Sequence, residues 1–214
     1  MESIQSHTTE SQPHGKTIEN IIKNTVYGID KIYHHTSVHD IEADDNNITQ
    51  KNVSVKSTCV DKKIDCGDVL RFLRLENTEI DVAYYIQHDE CKEIMKTYVV
   101  DYGKFLENLK VDIKSEFNMD FEDWIGSNIN DYVRNIKSIP SGRVEDKWYK
   151  TNKPPTPSYF NICPKVDSRS QRRVQCSITD FTRFIIQENE GSVLHGVKYN
   201  SNVMCGRRVR HSKK

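Results

Sequence analysis

The sequence predicts an α+β fold with an acidic helical hairpin, a small mixed or antiparallel sheet, a flexible N-terminal segment and a basic C-terminal tail. Apolar residues recur every three or four positions in the middle of the chain, as in amphipathic helices, and alternate with polar residues over short runs, as in strands. The charges also divide between two regions. Residues 1–140 contain 16 Lys and Arg against 25 Asp and Glu, whereas residues 141–214 contain 15 against 6. The net charge is therefore −9 in the first region and +9 in the second.

The first 65 residues are predicted to be largely disordered apart from one amphipathic helix near residues 17–33. Polar residues dominate the remainder, although Val53 and Val55 favour a short edge strand. Because a lone helix of about 16 residues is marginally stable in water, its apolar stripe must be covered, either by this chain's own core or by a groove of another protein. The candidate partner-binding residues of this stripe are Ile18, Ile21, Ile22, Val26 and Ile29.

Residues 66–140 are predicted to form the acidic helical core block of the protein. The block opens with a short helix over residues 69–75, for which Asp68 is a suitable N-cap. Apolar side chains then alternate with their neighbours from Ile80 to Ile86, and this period of two predicts a half-buried strand.

Two amphipathic helices are predicted to follow that strand and to pair as an antiparallel hairpin. The first covers residues 91–117, where apolar residues step by three or four, with a bend or break at Gly103. The second runs from Asp120 to Ile136 with its apolar residues on one face. Only about two residues separate the helices, and so short a connection favours antiparallel neighbours.

Residues 141–206 are predicted to form a small basic mixed region, followed by a basic tail at residues 207–214. The tail contains five Lys or Arg and no acidic residue. The predicted elements of the mixed region are a polyproline-like connector at residues 153–157, a strand at 172–178, a short helix through 181–185 and a last strand at 193–199.

Basic and aromatic residues are interleaved in the C-terminal third, a pattern that favours nucleic-acid binding. Arg and Lys neutralise phosphates, and aromatic rings stack on unpaired bases. The alternative is structural: Trp148 and Phe160 pack the connector onto the helical block, and the tail keeps the protein in solution. The candidate nucleic-acid-binding residues are Lys147, Trp148, Tyr149, Lys150, Phe160, Arg169, Arg172, Arg173, Arg207, Arg208 and Arg210.

Other classes of site find little support in the sequence. No nucleotide-binding, hydrolase or metalloprotease motif occurs, so no catalytic residues are predicted and no cofactor is expected. An enzyme whose active-site residues are dispersed along the sequence is the third alternative. No metal site is expected either, because the six cysteines include no C-x-x-C pair and His35 and His39 lie in a polar stretch. No secretory signal or membrane-spanning run of apolar residues is found, so the protein is expected in the nucleus, with the cytoplasm as the alternative.

These patterns together predict a non-catalytic binding or adaptor protein associated with nucleic acid. The basic C-terminal third would contact the phosphate backbone, and the helical block would contact protein partners. The expected partners are therefore DNA or RNA and proteins, and no membrane. The alternative is a pure protein–protein interaction subunit, since opposite charges of equal size can also meet within one molecule or between two copies.

Overall fold

The computed structural model describes residues 12–31, 33, 37–60, 63–87, 91–138, 151–166, 172–190 and 193–200. These residues form an α+β fold, as predicted. The chain divides into two compact units, each assembled from segments that are not contiguous in sequence. The first unit takes Met1–Cys59, Asp81–Tyr98 and Gln187–Lys214, and the second takes Val60–Ile80 and Val99–Ile186. The segment boundaries expected at residues 65, 140 and 206 stay predictions.

The helices and strands are, in chain order, α1 (Gln12–Val26), a 3₁₀ turn (Ala43–Asp45), β1 (Asn52–Thr58), β2 (Ile64–Asp68), α2 (Val69–Phe72), β3 (Thr78–Gln87), β4 (Cys91–Asp101), α3 (Tyr102–Phe117), α4 (Phe121–Asp123), a π-helical segment (Trp124–Asn130), α5 (Asp131–Ser138), β5 (Phe160–Val166), β6 (Arg172–Ile178), a second 3₁₀ turn (Phe181–Phe184), β7 (Ile185–Glu190) and β8 (Lys198–Asn200). Asp68 caps α2 as expected, because its carboxylate accepts a hydrogen bond from the backbone N–H of Arg71 at 3.0 Å. The strand predicted at residues 172–178 corresponds to β6.

The first unit is organised around a five-stranded sheet in the order β1-β3-β4-β7, with β8 antiparallel to β4. Helix α1 covers this sheet with its apolar stripe. Ile18 and Ile22 are 0% and 1% exposed and pack with Ala83, Tyr85 and Ile94. The chain's own core therefore covers the stripe, which is the first of the two alternatives for this helix.

The polar stretch between α1 and α2 contains β1 and β2, and β1 includes the Val53 and Val55 that favour a strand. Ile41 forms an isolated antiparallel bridge with Val53, and both side chains are fully buried. The carboxylate of Asp40 accepts a hydrogen bond from the backbone N–H of Val55 at 2.7 Å. This polar stretch is thus held in the fold by backbone pairing as well as by a few buried aliphatic side chains.

The second unit packs helices against a three-stranded antiparallel sheet in the order β2-β6-β5. Its core is aromatic. Phe105 of α3 lies 5.6 Å from Phe72 and 5.7 Å from Phe160 between ring centroids. Trp124 is fully buried and donates a hydrogen bond from Nε1 to the carbonyl of Pro155 at 2.9 Å. The proline-rich connector is therefore fastened to the helices by an indole hydrogen bond.

The predicted helix over residues 91–117 is wrong in its first half. Residues 91–101 form strand β4, and the helix begins only at Tyr102, after Asp101. Ile94, Tyr98 and Val100 are buried at even positions, as a strand with one face on a core requires. Ile94 and Tyr98 also lie four positions apart, so they fit the helical period equally well. The helix predicted from residue 120 is found as α4, the π-helical segment and α5.

Strand β3 lies where alternation predicts a strand. It is more buried than the predicted strand, which has one face exposed to solvent. Its first six residues, Thr78 to Ala83, are all buried. Both faces of the strand are therefore covered over this stretch, whereas alternation predicts that one face is exposed to solvent. The acidic helical hairpin stays a prediction.

Two buried tyrosines of the second unit should make the protein sensitive to alkali. Burial raises the pKa of Tyr102, and burial together with a 2.7 Å hydrogen bond to Asp112 raises the pKa of Tyr159. The folded state thus keeps protons that an unfolded tyrosine releases near pH 10. Stability is fully present below that pH and is lost as the pH rises above it.

Urea unfolding between pH 8 and pH 11 tests this expectation, with Tyr159→Phe as the comparison. The variant should lose about 1 kcal/mol at pH 8, because one partly buried hydrogen bond, from Tyr159 to Asp112, is removed. Its stability should then fall less steeply above pH 10 than that of the wild type. If the free energy of unfolding falls equally steeply with pH in the two proteins, Tyr159 is not a source of the sensitivity to alkali.

Candidate nucleic-acid interface

The candidate site is one side of the β5–β6 hairpin in the second unit. The two strands are antiparallel with Ile162 opposite Cys176 and Lys165 opposite Arg173. Five side chains at even positions of the two strands are buried in the core: Phe160, Ile162, Val174, Cys176 and Ile178. Odd positions that are exposed or half-buried form what we call the hairpin outer face, which consists of Asn161, Cys163, Lys165, Arg173 and Gln175.

The hairpin outer face places two cations directly across from each other. Lys165 is exposed and Arg173 half-buried, and neither forms an ion pair with any residue that the structure describes. Like charges directly opposite in a sheet are destabilising. The Nε of Arg173 is also buried and, among the described residues, has no hydrogen-bond acceptor. An anion placed between these two side chains would relieve the repulsion and satisfy the guanidinium.

A third cation reaches the same face from the proline-rich connector. The ammonium of Lys153 donates a hydrogen bond to Oδ1 of Asn161 at 2.5 Å, and Nδ2 of Asn161 lies 3.0 Å from the Sγ of Cys163. Lys153 is exposed and pairs with no carboxylate among the described residues. Lysine, arginine and carboxamide groups therefore share one surface, a composition suited to phosphate and sugar oxygens.

The structure places only part of the predicted nucleic-acid-binding set. Arg173 is on the hairpin outer face, and Arg172 begins β6 opposite Val166. The other basic candidates and two aromatic ones lie outside the described residues: Lys147, Trp148, Tyr149, Lys150, Arg169, Arg207, Arg208 and Arg210. The site is thus built around one predicted residue, together with Lys165 and Lys153.

Phe160 belongs to the core and offers no ring face to a base. It is 1% exposed, and its ring centroid lies 6.4 Å from those of Phe72 and Trp124. This is the packing alternative for Phe160, in which the ring fastens the connector to the helices. Phe160 is therefore not part of the hairpin outer face.

The predicted partner-binding stripe of α1 is also occupied. Ile18 and Ile22 are buried against the sheet, and Ile21 and Ile29 are half-buried. Val26 is 38% exposed at the end of the helix. A protein partner would have to displace the chain's own core to reach most of this stripe. The stripe therefore stabilises the first unit.

Comparisons with protein families, curated proteins and solved structures gave no match to this chain. Within the described ranges, no helix is long and apolar enough to cross a bilayer. In the same ranges, no three His, Cys, Asp or Glu side chains come together as a metal site.

Proposed function

We propose that this protein is a non-catalytic binding or adaptor protein that contacts the phosphate backbone of nucleic acid through its basic C-terminal third. The observation that carries the proposal is the Lys165–Arg173 pair, two cations held face to face with no carboxylate among the described residues to neutralise them. A cross-strand arrangement of this kind lowers stability. It is therefore better explained by an anionic partner than by folding.

Nucleic acid is the anion that fits the rest of the chain. The net charge of +9 over residues 141–214 would attract a polyanion over a distance limited by salt screening. The proposal extends to the remaining basic candidates as phosphate contacts and to Trp148 and Tyr149 as stacking residues. These basic candidates are Lys147, Lys150, Arg169, Arg172, Arg207, Arg208 and Arg210.

Salt dependence of binding is the direct test. We expect the affinity for a labelled oligonucleotide, measured by fluorescence anisotropy, to fall linearly on a log–log plot against salt concentration. Removing one phosphate contact with Lys165→Gln or Arg173→Gln should reduce the slope by about 0.7 for single strands and about 0.9 for duplex. Lys104→Gln is the matched control, since Lys104 is an exposed cation of the same unit outside the hairpin outer face.

Three results are informative. A reduced slope for the two hairpin variants, with an unchanged slope for Lys104→Gln, supports the proposed interface. Equal slopes for all three variants would remove the hairpin from the interface. Absence of oligonucleotide binding by the full chain at low salt would overturn the proposal and favour the pure protein–protein interaction subunit.

A further inference from the structure

A small polar groove lies next to the hairpin outer face in the second unit. It has a volume of about 250 Å³ and lies between the helical surface of residues 127–135 and the connector at residues 152–155. The helix contributes Asn128, Asp131 and Asn135, and the connector contributes Asn152 and Lys153. Most of these side chains are exposed, so a ligand can reach the groove directly from solvent.

Two features of the fold shape this groove. Asn128 lies in the π-helical segment Trp124–Asn130, and π-helical turns are rare and frequent at functional sites. The hydrogen bond from the Trp124 indole to the carbonyl of Pro155 fixes the connector against the helix on the other side. The hydrogen bond therefore ties the connector wall of the groove to the helical wall.

The chemistry of the groove suits recognition of a planar polar ring. The side-chain amides of Asn128 and Asn135 form no hydrogen bond with any described residue. Each amide offers a donor and an acceptor side by side, and asparagine uses this pair to bind the edge of a base. A volume of about 250 Å³ is below the usual range for drug-sized ligands, which favours a ligand as small as one base.

Lys153 joins the groove to the hairpin outer face. It lines the groove and also donates to Asn161 on the hairpin, so a chain bound on the cations passes beside the groove. A base inside a duplex cannot turn its pairing edge toward such a groove, whereas unstacked bases of single strands are read in this way. A strand with exposed bases therefore fits both surfaces at once.

We infer that the groove binds one unpaired nucleobase of a single strand whose phosphates lie on the hairpin outer face. This inference rests on the proposed function and adds to it a preference for single strands over duplex. The groove would contribute base contacts, and the three cations would contribute the salt-dependent part of the affinity.

The test compares three labelled probes by fluorescence anisotropy: a single-stranded oligonucleotide, the duplex of the same sequence and inorganic polyphosphate, which has the charge but no bases. The double variant Asn128→Ala/Asn135→Ala should bind the single strand about tenfold more weakly than the wild type does. Its affinity for polyphosphate should be unchanged. Asn130→Ala is the matched control, because Asn130 lies in the same π-helical segment but does not line the groove.

The outcomes separate the inference from the proposed function. Suppose that Lys165→Gln weakens polyphosphate binding but the asparagine changes do not affect single-strand binding. This result would overturn the base site and leave the proposed phosphate interface intact. Equal affinity of the wild type for single strand and duplex would also overturn it. A third result would also overturn it: an acidic peptide binds the wild type but not the double variant, and the double variant still binds the single strand as the wild type does. The groove would then be a peptide site instead.

Discussion

Phe105→Ala is expected to destabilise the protein by about 3–5 kcal/mol, the usual result of truncating a fully buried phenylalanine. Phe105 is 0% exposed and lies at the centre of the aromatic core of the second unit. Its ring centroid is within 6.2 Å of five others, those of Phe72, Tyr102, Tyr159, Phe160 and Phe184. Small domains have only about 5–15 kcal/mol of net stability, so this loss removes a large part of it.

Urea denaturation followed by tryptophan fluorescence measures the effect, because Trp124 lies in the same core. Val111→Ala is the matched control on the same helix, since Val111 is 64% exposed. It should change the free energy of unfolding by no more than about 0.5 kcal/mol. A loss below about 2 kcal/mol for Phe105→Ala would show that the aromatic rings do not form the close-packed core described here.

Lys165→Glu is expected to weaken the proposed nucleic-acid binding by on the order of tenfold or more at low salt, because the proposed phosphate contact would become a repulsion. The same change should stabilise the fold. It replaces a like-charge pair with Arg173 by an opposite-charge pair, which contributes roughly 0.2–1 kcal/mol across two strands. Binding and stability therefore move in opposite directions.

This opposition distinguishes a binding role from a structural one. Oligonucleotide anisotropy and urea unfolding should be measured on the same preparation of Lys165→Glu. A variant that loses binding because it is misfolded would lose stability as well. A stable variant with unchanged affinity would exclude Lys165 from the interface, and Arg173→Glu then serves as the second test of the same pair.

Local patterns in the sequence are sufficient for several elements. Asp68 followed by apolar residues at helical spacing predicts α2, and alternation predicts β6 over residues 172–178. Alternation misses β5 because Asn161 and Pro164 are both uncommon in strands. Proline lacks a backbone donor and is tolerated only on an edge strand, and the edge position of β5 depends on distant pairing with β6.

The candidate site shows the same limit. The charge pattern is enough to select Arg173, but it does not show that Lys165 lies opposite. That relation depends on the register across the hairpin, which a pattern of charges does not specify. The groove cannot be predicted from local sequence patterns at all, because Asn135 and Asn152 are brought together only by the packing of the connector on the helix.

Among the strands that the structure describes, β5 lies at the end of its sheet, and this position has a consequence for solubility. A strand with one unpaired side is a template on which another chain can add and start a fibril. Pro164 interrupts the row of backbone donors on this strand, and Lys165 adds a charge that an incoming copy must accommodate. Lys165, a residue of the proposed binding surface, is therefore also expected to protect the protein against self-association.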